Sequence, residues 1–116
     1  YSELTSEIKG ENSQTIRQRV IKAREIQSRR FADYKKIHCN ADMGSKEIKL
    51  FCKLDNNSAE LLKMAMSRLN LSARAYDRIL KVARTIADLD ESENIQSKHI
   101  SEAIQYRSLD RDFWNR

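Results

Sequence analysis

LSARAYDRILKVARTIADL, residues 71–89, is the stretch whose reading decides the fold. Stepping about 100° per residue, Ala75, Tyr76, Ile79, Leu80, Val82, Ala83, Ile86 and Ala87 fall on one arc. Arg74, Asp77, Arg78, Lys81, Arg84, Thr85 and Asp88 fall on the other. The pattern is that of a long two-faced helix with its apolar arc at the centre of a bundle. Ser72 is a suitable N-cap, which puts Arg74 in the first turn. A cation there lies against the positive end of the helix dipole and adds nothing to helix stability. Two readings of Arg74 stand at this point. It either assists the exposed N–H groups of the helix start in binding a phosphate, or pairs with Asp77 on a solvated face.

Outward from this stretch, the chain reads as helical throughout. Its 116 residues include no Pro and only two Gly, with 40% hydrophobic and 34% charged residues. That length suits one domain with a real core. The opening Tyr1-Ser2-Glu3, without an initiator Met, predicts a piece of a longer or processed chain. No apolar run approaches the ~18 residues of a membrane span, and no signal-peptide core is visible, so a cytoplasmic, membrane-free protein is expected. The net charge of +5, from 22 Lys and Arg against 17 Asp and Glu, permits attraction to nucleic acid or nucleotide without requiring it.

Three regions follow from the periodicity: an extended lead-in over residues 1–12, a helical domain over 13–107, and a C-terminal tail over 108–116. The first helix, capped by Ser13, runs over 14–32 with Ile16, Val20, Ala23 and Phe31 on its inner side. Its cations, Arg17, Arg19, Lys22, Arg24, Arg29 and Arg30, scatter around the rest of the circumference, which favours a solvated face over a nucleic-acid stripe. A connector over 34–44 ends at Gly44. A short helix over 46–53 follows, with Ile48, Phe51 and Cys52 inward. Capping side chains at 55–58 precede a helix over 59–69 that carries Leu61, Leu62, Ala65, Met66 and Leu69 on one side, with Met64 and Met66 as core filling, and Asn70 closes it. The short link to Ser72 predicts that this helix and the central one are antiparallel neighbours. The last helix, capped by Ser97, covers 98–107 with Ile100, Ala103, Ile104 and Tyr106 inward. Phe113 and Trp114 in the tail either pack back onto the bundle or stand exposed.

Chemistry of the chain's own is not evident. There is no Gly-rich phosphate loop, G-x-S-x-G elbow, H-E-x-x-H pair or dinucleotide fingerprint. His38, Cys39 and Cys52 offer three metal ligands, but the spacing fits no zinc template and a fourth is missing; reduced, buried thiols and a surface His are expected. His99 is expected to face solvent or a neighbouring loop, with no nucleophile or carboxylate set beside it by sequence.

Two blocks carry a family resemblance. The central stretch, continued through Ile95, His99, Glu102-Ala103 and Tyr106-Arg107, resembles the C-terminal domain of magnesium-chelatase-like AAA+ ATPases of the ComM/YifB type. GENSQTIRQRVIKAREIQ, residues 10–27, resembles the same family's G-E-S-S…R-x-R-V…A-R-x-x-Q pattern, as do Asn40-Ala41 and Phe51-Cys52. The resemblance covers about residues 4–107. Asn12 stands where the family usually has Ser, and Gly44 lies in a variable connector.

The resemblance implies an all-α, AAA+ lid-like bundle of about five helices that follows a nucleotide-binding core. The Walker A and B motifs and the arginine finger of such proteins lie upstream and are absent from this sequence. A sensor-2 arginine near the start of the long lid helix falls, by the register Ser72-Ala73-Arg74, on Arg74, with Arg78 as second candidate. An Arg suits that role because it stays charged and presents a rigid fork to phosphate oxygens. The resemblance further implies ATP and Mg2+ in the complete protein, none bound by this chain alone, and a homo-oligomeric, hexameric ring. Its lids swing with hydrolysis to move DNA, in branch migration for the competence-linked type. Two other functions are weighed against it: a stand-alone basic helical nucleic-acid-binding module, and a chelatase subunit inserting magnesium into a porphyrin, for which nothing in the sequence offers a site.

Overall fold

The structure is a computed structural model that describes residues 13–114, with side-chain surroundings through residue 106. Five α-helices are present among these residues: α1 Ser13–Arg30, α2 Ser45–Phe51, α3 Asn56–Leu69, α4 Ala73–Leu89 and α5 Ser97–Trp114, with a 3-10 turn at Asn40–Asp42 before α2. The all-α expectation is borne out. The one strand-like feature among the described residues is an isolated parallel bridge between Leu54 and Ile95, which joins the link before α3 to the link before α5. The lead-in over 1–12 lies outside the described residues. So do the side chains of Phe113 and Trp114, although the backbone of α5 continues about two turns past the expected end at residue 107.

Helix ends follow the local chemistry. Asp55 caps α3 by accepting from the Ser58 N–H at 2.7 Å, which starts the helix a turn earlier than its apolar pattern does. Asn70, at φ 51°, takes the left-handed conformation that ends α3, and the Leu71 N–H donates back to the Met66 carbonyl at 3.0 Å. At the start of α2, where Gly44 supplies no side chain, Glu47 reaches back to accept from the Gly44 N–H at 2.8 Å.

The core joins Phe31, Met43, Ile48, Cys52 and Leu62 to Ile79, Leu80, Ala83 and Ala87 of α4, with Ile95, Ile100 and Ala103 completing it. α4 is its centre, packed against α5, α1, α2 and the 3-10 turn. Phe31, Tyr34 and Phe51 meet edge to face, with ring centroids 5.5–6.1 Å apart.

One packing expectation fails. α3 packs mainly on α5, not antiparallel on α4. The left-handed Asn70 turns the chain away from α3's own face, and the Ser58 and Ser97 hydroxyls, 3.2 Å apart, tie α3 to α5. Four residues expected inside are also exposed: Val20, Met64, Tyr76 and Tyr106. Val82 joins them at 37% exposure, because the apolar arc of α4 is wider than its neighbours cover.

Candidate functional site

The start of α4 is built as its sequence predicts. Ser72 accepts from the Ala75 N–H at 3.2 Å, with the Ser72 backbone extended and Ala73 opening the helix. Arg74 is the second helical residue and is exposed. The pair with Asp77 does not form, and Arg74 makes no ion pair with any described residue. Arg78, one turn on and about 40° round the helix, is likewise exposed.

Farther along, the polar arc of α4 stops being a solvent face. Arg84 is 4% exposed and Asp88 1% exposed, inside a polar network that joins three elements. The Asp88 carboxylate receives both terminal nitrogens of Arg30 at 2.7 and 2.8 Å, Arg84 at 3.1 Å and the Asn40 amide at 2.8 Å. Asn40 in turn accepts from Arg30 at 2.8 Å, and its backbone N–H donates to the Gln27 side-chain carbonyl at 2.9 Å. Arg84 spends its other donors on the Ser92 and Glu93 carbonyls, at 2.8 and 3.0 Å, leaving its Nε buried without a partner among the described residues. Burial pulls the Arg84 guanidinium below its ordinary pKa, and the Asp88 charge opposes that shift.

This network corrects the sequence reading of α1. Arg30 is not one of its solvated cations, since its side chain is 11% exposed and stacks 5.9 Å from the Phe31 and Phe51 ring centres. Lys22 pairs with Glu91 at 3.3 Å. Arg30 and Lys22, both among the six cations that a nucleic-acid face on α1 would use, are thus engaged within the fold.

His99 faces a neighbouring loop, one of the two settings expected for it, and does so from a buried position. It is 2% exposed: its Nδ1 accepts from the Gln96 N–H at 2.9 Å, so its Nε2 carries the proton and donates to Asp90 at 2.9 Å. The partner is in the loop after α4, as a loop-facing His requires, and the ring is shielded from solvent. Hydrogen bonds from His99 and Lys98 hold the Asp90 carboxyl below the usual carboxylate range. This pair caps a turn and has no nucleophile beside it.

His38, Cys39 and Cys52 do not assemble. No group of three or more His, Cys, Asp and Glu residues able to hold a metal occurs among the described residues. His38 is exposed and Cys39 half-buried; Cys52 is buried with its thiol 3.8 Å from the Leu80 carbonyl, and desolvation pushes its pKa up to about 11. No described helix is long and apolar enough to cross a membrane.

The sequence of this chain has relatives among known proteins. The family model described as magnesium chelatase, subunit ChlI C-terminal, matches residues 10–107. The chain belongs to this family. Within the family it is similar to the uncharacterized protein YifB of Escherichia coli, at 47% identity over 90% of this chain and 20% of that protein. It is also similar to the competence protein ComM of Haemophilus influenzae, at 48% identity over 87% of this chain and 19% of that protein. YifB of Salmonella typhimurium matches at 45% over 89% of this chain. The chain thus spans about a fifth of the length of these relatives, and the resemblance read from residues 10–27 and 71–89 is borne out.

Proposed function

We propose that this chain is the helical lid of a ring-forming AAA+ ATPase and that Arg74 reads the presence of the ATP γ-phosphate. The observation that carries the reading is the setting of Arg74. It is an exposed cation in the first turn of the central helix, where it opposes the helix dipole and lacks an ion-pair partner among the described residues. The site suits a phosphate: the first-turn N–H groups of α4 and the Arg74 fork share one end of a 17-residue helix. ATP brings the phosphoryl group and its charge. Mg2+ in this reading is held by phosphate oxygens and groups outside this domain.

Arg74 orients the lid on those oxygens and releases it when their charge departs. The network of Arg30, Asn40, Arg84 and Asp88 makes α1 and α4 move as one body. In the same reading the chain works against an upstream nucleotide-binding core and neighbouring subunits of a hexameric ring in the cytoplasm. One relative's name ties it to competence, which supports DNA as the substrate of that ring.

The test is ATP turnover by the complete protein. Arg74→Ala lowers it about tenfold or more, while the melting temperature of the present chain changes little because the side chain is exposed. Arg74→Lys restores only part of the loss, because an ammonium lacks the planar fork. Turnover near the wild-type level in Arg74→Ala contradicts the assignment.

A further inference from the structure

We draw no further inference here: the strongest candidate, the open apolar groove between α4 and α5 lined by Val82, Ile86, Leu89 and Tyr106, carries nothing because nothing in the structure shows what covers it.

Discussion

Replacing Asp88 by Ala removes the one carboxylate on which two guanidinium groups converge. In the folded chain the Asp88 side chain is fully buried, Arg84 is 5% and Arg30 11% exposed at the side chain, and three hydrogen bonds and the ion pair with Arg84 end on its two oxygens. Alanine leaves both cations in a poorly solvated site, and Asn40 loses one of its acceptors. Breaking a buried ion pair from one side destabilises by about 3–5 kcal/mol. A domain of this size has about 5–15 kcal/mol in all. A loss of about 4 kcal/mol therefore removes a large part of the stability and lowers Tm by roughly 15 °C. Urea denaturation followed by circular dichroism measures it, and hydrogen exchange locates it: the amides of α1 lose protection before those of α5, because the network is α1's polar tie to α4. The triple variant Arg30→Met, Arg84→Met, Asp88→Leu regains part of the loss, since no charge is left stranded although the Ser92 and Glu93 carbonyls lose their Arg84 donors. A loss below about 1 kcal/mol in Asp88→Ala, or equal loss of protection in α1 and α5, refutes the reasoning.

Other perturbations reach separate parts of the fold. Cys52 has a folded pKa of about 11 against an ordinary 9.0, so the thiol's contribution is full below about pH 9 and is lost as pH rises toward 11. Stability across that range, by urea titration, falls more steeply in the wild type than in Cys52→Val; parallel slopes contradict this. The Asp90 carboxyl is held below 3.8, so its contribution is present above that value and fades as acid titrates it at its lowered pKa. Asp90→Asn flattens the acid limb of the melting-temperature profile, whereas an unchanged limb removes the role of the His99–Asp90 contact. Asp55→Ala deletes the α3 cap and lowers stability by about 1 kcal/mol, measured by chemical denaturation. With Lys22 and Arg30 of α1 engaged within the fold, duplex DNA should bind this chain more weakly than about 100 µM even at low salt. Tighter, salt-dependent binding in a fluorescence titration would revive the nucleic-acid module.

Legibility followed the physics of each feature. The apolar arc of α4 was readable because burial leaves a periodic mark, and Ser72, Asn70 and Asp55 were readable because capping chemistry is local. The N-terminal placement of Arg74 came from the same local reading. Pairing of α3 with α5 was not readable, since a short link sets proximity but a left-handed Asn70 sets direction. The buried network escaped for a related reason. Arg84 and Asp88, four apart on a polar arc, look like any solvated i, i+4 pair. Only the arrival of Arg30 and Asn40 from distant positions shows that this arc is covered. A partial signal existed: Gln27 and Asn40 both sit in the blocks that carry the family resemblance, although nothing local to them explains why. The burial of His99 was not readable, since its Asp90 partner lies in the turn after α4 and Arg84 holds the Ser92 and Glu93 carbonyls of that connection from inside the fold.

The most direct test of the central proposal is the structure of the complete protein with a non-hydrolysable ATP analogue, read for one distance. The lid reading predicts an Arg74 terminal nitrogen within about 3 Å of a γ-phosphate oxygen, on its own subunit's nucleotide or a neighbour's. Arg74 farther than about 6 Å from every phosphate, with ATP bound throughout the ring, contradicts it.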